Sequence, residues 1–128
     1  MWELVNEIKT ALAGISDINT SRIGVEVGIG AKDCPAARVD PEVRSANDKY
    51  YNGGKMQILI LVDAKNDLEL AYQSLFDIEE QAIVALRGVS ALLSDPDTQY
   101  DLNSVANFKS CILVYNYRIK NGDERACR

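Results

Sequence analysis

The segment "GVEVGIGAKD", residues 24 to 33, contains three glycines beside one lysine and two acids. These residue types can hold a nucleotide phosphate, because glycine backbone N–H groups can closely approach the anion. A phosphate loop has the pattern GxxxxGKS/T or GxGxxG between a strand and a helix, whereas the glycines here are spaced GxxxGxG. Pro35 then directs the chain toward another strand. The segment is therefore predicted to be a β-strand that enters a hairpin turn, with Gly24 and Gly28 on one strand face.

Metal and acid–base chemistry have few candidate residues in this sequence. The chain contains no histidine, which removes the commonest metal ligand and any Ser–His or Cys–His nucleophile pair. Asp77, Glu79 and Glu80 could bind Mg²⁺ or act as acid and base, but their position beside an apolar helical stripe favours a solvated helix face. The segment "SDPDTQYD" lacks the central glycine and closing glutamate of a calcium loop. The sequence predicts no enzyme activity, no cofactor and no metal.

Cysteine usage and net charge exclude further classes of protein. Cys34, Cys111 and Cys127 form no CxxC pair, and their odd number indicates free thiols, with Cys111 in an apolar run typical of a core position. The net charge of −5, with scattered basic residues, argues against broad or sequence-specific nucleic-acid binding. No apolar run approaches the roughly 18 residues of a membrane span, and the N-terminus lacks the pattern of a signal peptide. We expect a cytosolic protein that does not enter a membrane.

Hydrophobic periodicity predicts a single α+β domain over residues 1–128 with the element order α-β-β-β-α-β. A short helix at 2–13 buries Trp2, Val5, Ile8 and Leu12, and a long helix at 66–88, capped by Asn66 or Asp67, carries a longer apolar stripe. Strands are predicted at 22–29, at an edge or irregular segment between Pro35 and Pro41, at 55–63 and at 107–120. Residues 89–107 are expected to be a long loop with at most a helical turn or a short strand. About four strands should form a mixed or antiparallel sheet with the long helix on one face.

The stripe of the long helix is predicted to consist of Leu68, Ala71, Leu75, Ile78, Ala82 and Leu86. The strand at 55–63 is apolar on both faces, with Leu59 and Leu61 opposite Met56, Ile58, Ile60 and Val62. Both of its faces therefore need a covering, one from a helix and the other from more protein.

Two groups of tyrosines are candidates for contact with other proteins. Aromatic and basic residues concentrate at interfaces, and one group lies on a glycine-tipped hairpin formed by Lys49, Tyr50, Tyr51, Asn52, Gly53, Gly54 and Lys55. The alternative is that these two tyrosines only cover the end of a hairpin. Tyr115 and Tyr117 share a strand face with Leu113 and Ile119, where packing and a subunit contact are both open.

Several segments together resemble one protein family. They are the short N-terminal helix, "PAARVDP", the tyrosine-containing hairpin, "MQILILVDAKNDLELAYQSLFDIEEQAIVAL" and the closing "ILVYNYRI". This arrangement resembles the tail terminator and tail completion proteins of long-tailed bacteriophages and Mu-like prophages. The resemblance covers most of the chain through pattern and element order rather than through a diagnostic motif.

The resemblance implies a homo-oligomeric ring, usually a hexamer, that caps the tail tube, stops its polymerisation and offers a surface to head–tail joining proteins. It implies no catalysis and no cofactor, and it places the protein in the host cytoplasm during assembly and then in the virion tail. Carried onto this sequence, residues 49–55 and the loop at 94–107 would meet the tube. The acidic balance would suit a lumen through which DNA slides.

A small dimeric ligand-binding or regulatory α+β domain is the alternative. It would require an enclosed pocket lined by convergent polar groups. An enzyme that uses carboxylates is the third possibility.

Overall fold

The computed structural model describes residues 1–25, 28–45, 51–101 and 107–120. Its elements are α1 (Trp2–Ala13), β1 (Thr20–Ile23), a 3₁₀ turn (Ala31–Asp33), β2 (Ala36–Ser45), β3 (Tyr51–Asp63), α2 (Leu68–Leu86), β4 (Asp97–Asp101) and β5 (Phe108–Lys120). The strands form a mixed five-stranded sheet in the order β1-β2-β3-β5-β4. β1 runs parallel to β2, and the other neighbouring pairs are antiparallel. The α+β prediction is confirmed, with β4 as a fifth strand inside the segment that was expected to be mainly loop.

Both helices pack on the same face of the sheet. α1 contacts β1 and β2, α2 contacts β3 and β5, and the two helices also contact each other. The buried side chains of the helices are Leu4, Val5, Ile8 and Leu12 in α1, and Ala71, Leu75, Ile78, Glu79, Ala82 and Leu86 in α2. They meet the inward side chains of the strands in one core, which includes Val39, Ile58, Ile60, Cys111 and Leu113. The sheet thus has one face that is covered by helices and a second face that is not, which we call the outer face.

The predicted stripes are wrong at the first residue of each helix. Trp2 is 68% exposed and Leu68 is 49% exposed. At 3.6 residues per turn, Trp2 lies about 100° from the middle of the buried face of α1, whereas Leu4 lies closer to that middle. The position of Leu68 around the axis of α2 does match the buried face, but a side chain at the first helical position points back beyond the end of the helix. Of the two candidate caps, Asp67 is the N-cap, and its carboxylate accepts a hydrogen bond of 3.0 Å from the Leu70 N–H.

The glycine-bearing segment at 22–29 is not a strand throughout, and this prediction is corrected. β1 ends at Ile23, and Gly24 and Gly28 have φ values of 87° and 95°. A side chain is disfavoured at positive φ, which explains the glycines, and such residues interrupt the alternation of a strand. The chain then passes through the 3₁₀ turn and enters β2 parallel to β1, with Thr20 opposite Ala36. The segment is therefore part of a parallel connection and not a hairpin.

The position of Pro41 follows from the pairing of β2. β1 pairs with β2 only from Ala36 to Val39. Pro41 therefore lies on a part of β2 whose edge has no pairing with β1. Proline lacks the N–H that a central position would require. The register with β3 also shifts between Pro41 and Val43, which marks a bulge or irregularity. The prediction of an edge or irregular strand is confirmed for this half of β2.

Candidate functional site

Three cross-strand rows of side chains form the middle of the outer face. The first row is Arg22, Arg38, Leu59, Ile112 and Gln99, which are successive register partners from β1 to β4. The second row is Thr20, Ala36, Leu61, Ser110 and Asp101. The third row is Asp40, Gln57, Val114 and Asp97. Four large apolar residues therefore lie on the central strands β3 and β5, beside Gln57 and Ser110, and most of the residues toward both edges are polar.

The centre of the outer face is a partly exposed apolar patch. Its members are Leu59, Leu61, Ile112 and Val114, each of which keeps part of its surface in solvent while the alternate residues on the helix side are fully buried. Such a patch on two central strands, where neither helix covers it, has the composition of a protein contact surface and no group suited to catalysis. We refer to these four residues as the apolar patch.

Arg38 is a buried residue on the β1 side of the outer face. Its side chain is only 1% exposed, and Nη1 donates hydrogen bonds to Thr20 Oγ1 at 3.0 Å, to the Thr20 carbonyl at 3.3 Å and to the Ala37 carbonyl at 2.8 Å. Thr20 Oγ1 in turn donates to the Asp33 carbonyl at 2.8 Å. These bonds hold the connection between β1 and β2 against the sheet, so Arg38 acts here as a structural anchor.

The β4 edge of the sheet carries an aromatic cluster that joins β4 to α2. Phe76 lies between Tyr72, with ring centroids 6.3 Å apart, and Tyr100, whose ring meets it edge to face at 5.6 Å. The Tyr100 hydroxyl donates to both Glu79 oxygens, at 2.6 and 2.8 Å. The hydrogen bond to Glu79, followed by burial of the hydroxyl, raises the pKa of Tyr100 to about 12. The Tyr100 ring as a whole is still 49% exposed, so it is both accessible and held in place.

Asp77, Glu79 and Glu80, the candidate acids for catalysis, have different environments. Asp77 and Glu80 are exposed, in agreement with a solvated face, whereas Glu79 is buried beneath Tyr100. The part of the chain that the structure describes contains no group of three or more potential metal ligands. Glu79 was missed as a structural residue because its partner is 21 positions away, on a strand that the sequence indicated only weakly.

The predicted contact segment at 49–55 lies partly outside the described residues, which exclude Lys49 and Tyr50. β3 begins at Tyr51, so the described part belongs to the sheet and not to a hairpin tip. Gly53 pairs with Ser45 and Arg118, and Gly54 pairs with Arg44 and Tyr117. Asn52 is buried and Lys55 is exposed. The Gly-Gly pair suggested a turn, but both glycines continue the strand.

Tyr115 and Tyr117 lie inside the subunit, at 2% and 1% exposure. Both side chains point to the helix side of β5, where burial raises the pKa of Tyr115 to about 12. Of the two roles left open for them, packing is the one that the structure supports. They offer no surface for a subunit contact, so that prediction is corrected.

Two shallow clefts lie near the ends of helices and strands. One of about 430 Å³ lies between the start of α1 and the end of β5, with Glu3, Glu7, Arg118 and Lys120 in its lining. Another of about 240 Å³ lies beside Cys34, Asp63 and the start of α2.

Among the described residues, no helix is both long and apolar enough to cross a bilayer.

The chain matches no protein-family model and no curated protein sequence.

Proposed function

We propose that this protein is a structural subunit of a bacteriophage or prophage tail, which caps the tail tube as a ring of identical copies. In this role it ends tube polymerisation and offers a surface to head-joining proteins. The ring, the tube and the preference for six copies come from the resemblance of "PAARVDP", the long helix with its preceding strand, and "ILVYNYRI". The observation that carries the proposal is the apolar patch on the outer face.

A subunit of an assembly needs a surface that becomes buried only in the assembly. The apolar patch has this property, because Leu59, Leu61, Ile112 and Val114 lie side by side on paired strands and remain partly in water. Each would contribute about 1 kcal/mol when its remaining surface is buried. Together they supply a few kcal/mol, which is useful for a contact between proteins and is of no use to an isolated subunit.

The charges around the patch fit a protein partner better than a nucleic acid. Asp97 and Asp101 border it on β4, and the whole chain has a net charge of −5. These two acids would disfavour duplex DNA at the β4 side of the patch, whereas a protein surface can cover the apolar centre.

Absolute mass measured by light scattering over a concentration series tests the proposal. A hexamer, or a monomer that rises toward one, is the expected result. A dimer whose mass does not change with concentration would favour the ligand-binding alternative and would direct attention to the cleft of about 430 Å³. Electron microscopy of induced phage tails, with and without the gene, then tests the role at the tube: tails that lack the protein should vary in length.

A further inference from the structure

We propose that neighbouring copies in the assembly join edge to edge, with β4 of one copy against β1 of the next. This inference rests on the proposed ring and names its subunit contact. The two strands are the opposite edges of one sheet, in the order β1-β2-β3-β5-β4. Within the described residues, each pairs with a strand on one side only. An open strand edge presents backbone N–H and C=O groups that can pair with another chain.

The two edge strands are similar in length and run in opposite directions. β1 has four residues and β4 has five. β2 is parallel to β1, and each of the next three steps across the sheet, to β3, β5 and β4, reverses direction. β4 therefore runs opposite to β1. A neighbour that continues the sheet with the same face outward places its β1 antiparallel to β4, which is the more stable form of pairing.

The charges on the outer face are complementary across this contact. Arg22 is exposed on β1 in the row that ends at Gln99, and Asp97 and Asp101 flank Gln99 on the same face of β4. In any register of the antiparallel pair that keeps the outer faces of the two copies on the same side, Arg22 lies opposite or diagonal to at least one of these acids. Cross-strand pairs of opposite charge stabilise a sheet, and like charges destabilise it.

The same charges disfavour a symmetric dimer through either edge. Two β4 strands placed side by side would bring four aspartates together, and two β1 strands would bring two copies of Arg22 together. A head-to-tail contact avoids both repulsions. Contacts of this kind use two different surfaces on each copy, and they form a ring when the rotation between neighbouring copies closes and an open filament when it does not.

The helix side of the contact adds an apolar component. Tyr100 stands half-exposed at the β4 edge, fixed by Glu79 and by the ring of Phe76. Ile23, on the same side of β1, is partly exposed. An aromatic ring that is already immobilised loses little entropy on binding, and tyrosine is enriched among residues that dominate interface energies.

An edge-to-edge contact between copies leaves the apolar patch available to a different partner. When subunits join through their edges, their outer faces lie side by side and the four-residue patches form a band around the ring. That band, not the copy-to-copy contact, is then the surface that meets the tube.

Charge reversal at the two edges tests the inference. Arg22→Glu, and at least one of Asp97→Arg and Asp101→Arg, should each raise the subunit concentration needed for assembly at least tenfold, and Arg22→Glu combined with that aspartate variant should recover much of the loss. Lys55→Glu is the matched control, because Lys55 is exposed on the outer face of the central strand β3 and not at an edge. Light scattering gives the mass, and circular dichroism with urea unfolding verifies that each variant is folded.

The outcomes separate this inference from the proposed ring. A wild-type hexamer that Arg22→Glu, Asp97→Arg and Asp101→Arg all leave intact would overturn the edge contact while the ring stands. A wild-type protein that remains monomeric at all concentrations would overturn the ring itself. Loss of the hexamer in Arg22→Glu and in an aspartate variant, without recovery when the two are combined, would also contradict a direct pairing of these charges. A dimer stabilised by Asp101→Arg alone would mean that two β4 edges meet.

Discussion

The hydroxyl of Tyr100 donates hydrogen bonds to both carboxylate oxygens of Glu79, which joins the edge strand β4 to the long helix α2. Without this link, β4 would be held mainly by its pairing with β5 and by the contact between Phe76 and Tyr100. The bond therefore fixes both the position of an exposed ring and the edge of the sheet.

The first prediction concerns the ionisation of Tyr100. The hydrogen bond to Glu79 is the main cause that raises its pKa to about 12, so Glu79→Gln should lower this pKa toward the ordinary value of 10. Ultraviolet difference titration against Tyr100→Phe isolates the contribution of this residue. The protonated hydroxyl is favoured in the folded state, so its contribution to stability is complete below pH 10 and is lost as pH rises toward 12. An unchanged titration in Glu79→Gln would show that the bond is not responsible.

The second prediction concerns the reactivity of Cys111. Burial, followed by the charge of Glu79, raises the pKa of the Cys111 thiol to about 12. In a variant with Cys34→Ser and Cys127→Ser, we expect iodoacetamide to alkylate Cys111 only as fast as the protein unfolds, because both the thiolate and its access are suppressed. Mass spectrometry over time, with and without urea, measures this rate. Rapid alkylation of the folded protein would place Cys111 at an accessible position.

The third prediction concerns the start of α2. Asp67→Ala should lower the free energy of unfolding by about 1 kcal/mol, because it removes the side-chain acceptor for the Leu70 N–H. Asn66→Ala is the control, since Asn66 is exposed and is not the cap, and its effect should stay within about 0.5 kcal/mol. Urea unfolding measures both. Equal losses in the two variants would contradict the assignment of Asp67 as the cap.

The fourth prediction contrasts two adjacent residues of β3. Leu59→Asp should fold and, if copies join through their edges, should keep the mass of the wild-type assembly, because Leu59 is partly exposed on the outer face. Ile58→Asp should not fold, because Ile58 is fully buried on the helix side and an unpaired charge there is strongly unfavourable. Circular dichroism and light scattering distinguish the cases. Dissociation of the assembly by Leu59→Asp would make the apolar patch the copy-to-copy contact.

The sequence predicted those parts of the fold that have strong local signals. The 3.6-residue period identified both helices, and the final strand was placed almost to the residue, because "CILVYNY" has few alternative conformations. The turn at Gly24 and Gly28 was misread because glycine fits both a strand and a positive φ, and only the three-dimensional path decides between them. β4, with the sequence "DTQYD", has little strand propensity of its own, and its pairing with β5 provides its structure.

The candidate surfaces were harder to predict than the fold. Alternation on β3 showed that Leu59 and Leu61 face away from Ile58 and Ile60, which is the essential fact about the outer face. Which side of the sheet the helices cover determines that Tyr115 is internal and that Leu59 is partly exposed, and this depends on long-range packing. The bond between Tyr100 and Glu79 likewise depends on a strand pairing that the local sequence does not specify.

Light scattering over a concentration series gives the absolute mass of the purified protein and so tests whether the chain assembles into a ring. We expect a hexamer, or a monomer that converts to a hexamer as concentration rises. A mass that corresponds to a monomer or a dimer at every concentration would contradict it.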